Sequence, residues 1–326
     1  MRKNISSEKI IDLSNKRIWI AGHNGMVGRS LFKALANKYP NAILLKAPRE
    51  ELNLTNQTDV YNWLKINKPD VIFLAAAKVG GIYANSKYPV DFLSDNILIA
   101  TNIINSAHQL DINNLVFLGS SCIYPKHANQ PIKESSLLSG PLEDTNQWYA
   151  IAKIAGIKLC QAYKKQYGRS YICIQPSNLY GPYDNFHYKN SHVLPALLRK
   201  FYEAKIDKQD KITVWGSGKP LREFLHVDDL SSALIHCALY YDSSEIINVG
   251  TKDELSIFDL AAKIANVVGF NGEIIFDTSK PDGVMRKKVD CSKINSIGWE
   301  QSIELDNGIE EVYKWFKQNY SNLRID

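Results

Sequence analysis

The chain has 326 residues, 45% of them hydrophobic and 22% charged, an ordinary soluble globular make-up with room for one large core or two unequal domains. Its net charge of +5 is too mild to predict binding to nucleic acid or a membrane, and it suits an anionic small molecule. The five cysteines, Cys122, Cys160, Cys173, Cys237 and Cys291, are scattered without a C-x-x-C pair, so no disulfide framework and no metal site are expected, and a reducing, cytoplasmic setting is.

Residues 1–16 are polar and mixed in charge, without the apolar stretch of a signal peptide, and read as a poorly ordered extension. A first apolar strand follows at Ile18–Ala21, then glycines, then a helical pattern through Val27, Leu31, Ala34 and Leu35. Further strands are predicted at Ile43–Leu45, Val71–Ala75, Leu115–Leu118 and Tyr171–Ile174, with helices over 58–65 and 96–109 between them. Short apolar strands alternating with helices predict an α/β fold, a Rossmann-type doubly wound parallel sheet covered on both faces. After Pro176 the rhythm breaks at Pro182, Pro195, Trp215-Gly216-Ser217-Gly218 and Pro220. A strand then returns at 246–250, a helix at 256–268 and a strand at 273–276, and no apolar run reaches membrane-spanning length. The expected division is residues 17–177, with returning segments near 224–252, as a dinucleotide-binding domain and 178–326 mainly as a smaller C-terminal substrate-binding lobe.

Gly22-His23-Asn24-Gly25-Met26-Val27-Gly28 is a G-x-x-G-x-x-G loop between a strand and a helix. Such a loop lets backbone approach a pyrophosphate, and the helix N-terminus adds N–H donors and a favourable dipole. An NAD site expects an acidic residue after the second strand. Here Lys46 and Arg49 come first, and a guanidinium suits the 2′-phosphate of NADP. Arg49 also reads as a solvated loop charge beside Glu50 and Glu51.

Tyr149 and Lys153 stand four residues apart, one turn on one helix face. A neighbouring ammonium is expected to lower the phenol's pKa, which fits it for proton transfer during hydride chemistry at a carbonyl. The strand taken as the fifth ends in Gly119-Ser120-Ser121-Cys122, where ligands bind in such sheets. Ser120 is either a turn serine or a hydroxyl that polarises a substrate oxygen; Cys122 is either packing or an acid/base thiol.

The Gly22–Gly28 loop, Ser120, Tyr149 and Lys153 resemble the extended short-chain dehydrogenase/reductase family. Leu74–Ile82, Ser120–Pro125, Asn178–Pro182, Asn190–Val193 and Arg222–Asp229 are similar to a branch of it that epimerises and reduces GDP-linked 4-keto-6-deoxy sugars. The resemblance runs from about Lys16 to Asp290. It implies a homodimer, NADPH reduction at C4 with Tyr149 as proton donor aided by Ser120 and Lys153, and proton exchange at C3 and C5 by Cys122 and His192. By the same resemblance, Asn53, Leu54, Ala75, Ala76, Pro176, Asn178, Leu179 and His192 join the loop and Arg49 around NADP. Lys200, Trp215, Arg222 and Asp282 match positions that hold the GDP-sugar, with cations for a diphosphate, a ring for stacking and a carboxylate for hydroxyls or base nitrogens.

Several positions depart from that pattern. Asn24 and Lys200 replace usual arginines, and Gln147-Trp148, Tyr183 and Tyr188 put bulk where the sugar pocket is expected. The alternative they raise is a C4-reductase without epimerase activity, acting on a GDP-linked heptose. A 4,6-dehydratase would carry acidic residues where Ser121-Cys122 stand, and a non-catalytic dinucleotide-binding regulator would lack the Tyr-Lys pair.

Overall fold

The computed structural model describes residues 9–188, 190–280 and 282–323. In chain order the first half contains β1 (Arg17–Ala21), α1 (Met26–Lys38), β2 (Ile43–Leu45), α2 (Gln57–Asn67), β3 (Val71–Leu74), α3 (Ile82–Lys87), α4 (Pro89–Gln109), β4 (Asn114–Leu118), α5 (Gln147–Tyr167) and β5 (Ser170–Pro176). Local chemistry sets several boundaries. The Asn56 side chain caps α2 by accepting from the backbone N–H of Thr58 at 2.9 Å, and Gly168 ends α5 in the left-handed conformation. Pro89 opens α4, seven residues before the predicted start, because a proline at the first helical position forgoes only an N–H that would be unpaired anyway.

The second half contains β6 (Asn178–Tyr180), α6 (Val193–Ile206), β7 (Lys211–Trp215), β8 (Leu221–Arg222), β9 (Phe224–His226), α7 (Val227–Tyr240), β10 (Ile247–Val249), β11 (Leu255–Ser256), α8 (Ile257–Val268), β12 (Glu273–Asp277), β13 (Arg286–Lys287), α9 (Ser292–Ser296) and α10 (Leu305–Asn319). The main sheet runs β10-β5-β4-β3-β1-β2, with every neighbouring pair parallel. From β1 the chain goes outward to β2, then crosses back to β3 on the other side of β1. The switch point between β1 and β3 opens a crevice at their carboxyl ends, where such sheets bind ligands.

Side chains from α2, α4 and α5, including Leu64, Ile103 and Ile157, cover one face of the sheet. The other face packs on α1 and α7, with Leu31, Leu35 and Leu234 fully or almost fully buried. A third core joins α6, α8 and α10 through Leu198, Ile264 and Phe316.

Three expectations are corrected. The strand ending at Ser120 is fourth in chain order, not fifth. Residues 1–8 of the expected extension lie outside the described residues, but the following part is packed: Leu13 is fully buried and Ile10 donates its N–H to Leu239 O at 2.7 Å. The tail is also shared between lobes, because Ile294 and Trp299 join the α1/α7 core.

Candidate active site

The glycine loop sits at the β1/β3 switch point. Gly22 has φ +91°, and a Cβ there would lie 2.7 Å from Ala76 N, so only glycine lets the loop lie against the end of β3. His23, Gly25, Met26, Val27 and Gly28 carry the chain into α1, with Asn24 exposed at the tip. Burial, then Lys46 and Arg29, hold His23 below the usual imidazole range. This is a cradle of backbone donors with cations at its rim, and it fits a dinucleotide pyrophosphate.

Around it, Ala75 N–H donates to Ala21 O at 3.0 Å, and Arg49 stands exposed in the turn after β2. Asn53 accepts from Thr55, and Leu54 O accepts from Asn102, fixing the next turn. Pro176 ends β5, while Asn178 donates to Glu223 O at 3.0 Å and starts β6 beside Leu179.

Ser120 follows β4. Its N–H donates to Gln175 Oε1 at 3.0 Å, and its hydroxyl accepts from Cys122 N–H at 3.2 Å. Gln175 is fully buried and sets how the chain leaves the sheet. Tyr149 and Lys153 rise from the first turns of α5. The expected pairing of ammonium with phenol is not what forms. Lys153 Nζ donates to Leu118 O at 2.7 Å and lies 5.7 Å from the centroid of the Tyr149 ring. Burial pushes Lys153 down to about 8 and, with the nearby Cys122 charge, holds the Tyr149 phenol well above its usual range. Tyr149 is therefore a neutral phenol, the form that donates a proton.

Cys122 faces two nitrogen donors, Asn146 Nδ2 at 3.7 Å and Lys287 Nζ at 3.8 Å. Asn146 occupies the N-cap of α5 but makes no capping bond there. His192 is the N-cap of α6, in a loop braced where Gly81 N–H donates to Asn190 O at 2.8 Å. Burial first, and Lys287 second, lower His192 below the usual imidazole range. Tyr149 is half-buried and His192 is exposed.

In the lobe, Lys200 Nζ donates to Thr213 O, and burial lowers its pKa. Trp215 is 72% exposed, a flat ring with Lys280 Nζ 5.7 Å from its centroid. Both Asp282 oxygens already accept from Ser217, at 2.8 and 2.7 Å, so this carboxylate shapes the Trp215 turn. Burial lowers the Arg222 pKa, and the charge of Asp282 offsets part of that.

Two of the bulky departures have partners of their own. Tyr183 lies against Trp315 and under the Arg29 guanidinium, and Tyr188 lies under Arg199 with its hydroxyl on Glu203. Tyr183 thus lies between α10 and the start of α1, and Tyr188 lies on α6. Sequence reasoning missed Gln175, Asn146, Lys287 and Glu223. Glu223 lies inside the Arg222–Asp229 motif without standing out from it, and Gln175, Asn146 and Lys287 belong to no motif.

The position of these groups at the carboxyl ends of a doubly wound sheet defines the class, a dinucleotide-dependent oxidoreductase. Residues 18–250 match the NAD dependent epimerase/dehydratase family, and the chain belongs to that family. It is 49% identical to a GDP-L-fucose synthase of Escherichia coli (strain K12), over 96% of this chain and 100% of that one. Among solved structures, a GDP-L-fucose synthetase from Naegleria fowleri bound to NADP is 28% identical with TM-score 0.90, covering 98% of this chain and 100% of that one. A GDP-6-OMe-4-keto-L-xylo-heptose reductase from C. jejuni is 36% identical with TM-score 0.87, covering 95% of this chain and 99% of that one.

Proposed function

We propose that this protein is an NADPH-dependent GDP-L-fucose synthase, which epimerises a GDP-linked 4-keto-6-deoxy sugar at C3 and C5 and reduces it at C4. The observation that carries this reading is the placement of a thiol and a phenol, Cys122 and Tyr149, in one cleft beside a dinucleotide cradle. Close similarity to GDP-L-fucose synthases supports the same choice.

The Gly22–Gly28 loop, Ala75 and Ala76 would hold the pyrophosphate side of the cofactor, and Arg49 its 2′-phosphate. Asn53 and Leu54 fix the turn beside them, and Pro176, Asn178, Leu179 and Lys153 line the reactive end. Bound NADPH supplies the hydride for the C4 carbonyl carbon. Ser120 donates a hydrogen bond to O4, and the neutral Tyr149 phenol gives O4 its proton. The Lys153 ammonium offsets the phenolate left behind, and proton donation by Tyr149 contributes about 10²–10⁴-fold.

Before reduction, the C4 ketone acidifies C3 and C5. Cys122 takes a proton from the ring, leaving an enolate, and protonated His192 returns one to the other face. His192 rests neutral, so it draws its proton from solvent before donating. Lys200 and Arg222 take the diphosphate, Trp215 stacks on a flat group of the ligand, and Asp282 holds the Trp215 turn and faces its polar atoms.

No helix among the described residues is long and apolar enough to cross a membrane. A cytoplasmic homodimer is part of the proposal, the dimer resting on the exposed Trp148, Ile151 and Leu98 of α4 and α5. The two-domain division into residues 17–177 and mainly 178–326 belongs to it too, with 224–252 and the Ile294–Trp299 stretch of the tail packed on the first.

The test is NMR product analysis with GDP-4-keto-6-deoxy-mannose and NADPH. GDP-L-fucose is the expected product. A C4-reduced product that keeps the original C3 and C5 configuration would make the enzyme a pure reductase, the activity expected of the heptose alternative.

A further inference from the structure

Lys287 belongs to no motif, yet it ends in the heart of the cleft. It sits on β13, whose parallel register on β8 sets Lys287 opposite Arg222. Its neighbours are tied down on both sides. Arg286 Nε donates to Glu254 at 2.8 Å, and Val289 N–H donates to the buried Glu223 carboxylate at 2.6 Å. Lys288 O accepts from Ile132 N–H at 2.8 Å, and Ile132 and Val289 form a bridge between the two segments. The strand is thus stitched to the cofactor half just beyond Cys122. The ammonium it delivers lies 3.8 Å from the sulfur.

A second donor points at the same atom. Asn146 stands where a side-chain oxygen would normally cap a helix, a bond worth about 1 kcal/mol. Instead its Nδ2 lies 3.7 Å from Cys122 Sγ, and its Oδ1 is buried without a hydrogen-bond partner. Capping is given up and an amide is aimed at a thiol. Two converging N–H donors, one of them charged, make an anion seat around a single sulfur atom.

We infer that Lys287 and Asn146 are positioning residues that hold Cys122 as the thiolate base of epimerisation. The inference rests on the epimerase reading above. In the step it serves, the sulfur lone pair takes the proton beside the ketone. An S–H bond forms, a C–H bond breaks, and the negative charge passes from sulfur to the C4 oxygen as an enolate. Lys287 itself transfers no proton; its charge compensates the thiolate beforehand. Arg222, its register partner, is left to the diphosphate.

The test follows alkylation of Cys122 by iodoacetamide at neutral pH, resolved by peptide mass spectrometry, in the full-length protein without substrate. Lys287→Met is expected to slow it at least about tenfold, and Lys287→Arg to restore most of the rate, because charge rather than shape is removed and returned. Asn146→Ala is expected to slow it several-fold. Unchanged NADPH binding by fluorescence verifies folding of each variant. Deuterium uptake at C3 and C5 is expected to fall in parallel with alkylation. Equal alkylation rates in wild type and Lys287→Met, with only the KM for the GDP-sugar raised, would overturn the inference and leave Lys287 a diphosphate ligand. Failure of the epimerase reading looks different: wild type would show no deuterium uptake, while alkylation still depended on Lys287.

Discussion

The cleft has two corners built in different ways. The reductase corner, Ser120, Tyr149 and Lys153, stands on β4 and α5 of one sheet and its covering helix. The acid–base corner is assembled from four separate places: Cys122 after β4, Asn146 before α5, His192 before α6 and Lys287 on β13. A corner made on adjacent elements keeps its geometry through sheet and helix packing. A corner made at the meeting of two lobes depends on whatever ties those lobes together. Here the ties are Glu223 and the segment around Val289.

The largest expected effect breaks the comparison at its rigid end. Tyr149→Phe removes the only hydroxyl of that side chain and should lower NADPH oxidation about 10²–10⁴-fold while leaving NADPH affinity unchanged. Stopped-flow absorbance and fluorescence titration measure the two. Near-normal turnover would mean that another group protonates O4.

The two corners should also titrate apart. Lys153 is pushed down to about 8, so reduction should decline as pH rises through that value and the ammonium is lost. His192 sits below the ordinary 6.5 and must be protonated to donate, so deuterium exchange should decline at a lower pH than reduction. Parallel pH profiles for exchange and reduction would contradict this separation.

A smaller effect concerns the tie between the lobes. Burial raises the Glu223 carboxyl from an ordinary 4.5 to about 7, against the N–H bonds from Thr251 and Val289 that favour the carboxylate. A folded-state pKa above the unfolded one contributes stability that is complete below pH 4.5 and lost as pH rises through about 7. Relative to Glu223→Gln, the wild type should therefore lose up to about 3 kcal/mol between pH 4.5 and 8. Urea unfolding at both pH values reads the difference, and a constant gap would rule out ionisation at Glu223. The smallest effect is on helix stability in Asn146→Ala. Since this side chain makes no cap, the melting temperature should fall by less than the loss of a real cap, about 1 kcal/mol, would produce.

The same contrast explains what could be read in the chain. The glycine loop and Tyr149–Lys153 are local spacings, visible because strand, loop and helix place neighbours in sequence side by side. The main sheet was legible for the same reason, since its strands are continuous apolar runs. Lys287 reaches Cys122 across 165 positions, and Gln175 reaches Ser120 across 55, contacts that no local pattern encodes. Strands of two residues such as β8, β11 and β13 have no periodicity to detect. Asn146 is equally hidden, because a polar residue before a helix says nothing of a distant sulfur. Even the Tyr149–Lys153 spacing concealed its geometry: the lysine bonds a strand carbonyl, and burial keeps the phenol protonated.

The proposed function puts two separable chemistries in one cleft. Incubation of Tyr149→Phe and Cys122→Ser with GDP-4-keto-6-deoxy-mannose and NADPH in deuterated water tests it most directly, with mass spectrometry and NMR of the recovered sugar. Tyr149→Phe should still take up deuterium at C3 and C5 while failing to reduce C4, and Cys122→Ser should lose the uptake. Loss of exchange in Tyr149→Phe, or full exchange in Cys122→Ser, would contradict the account.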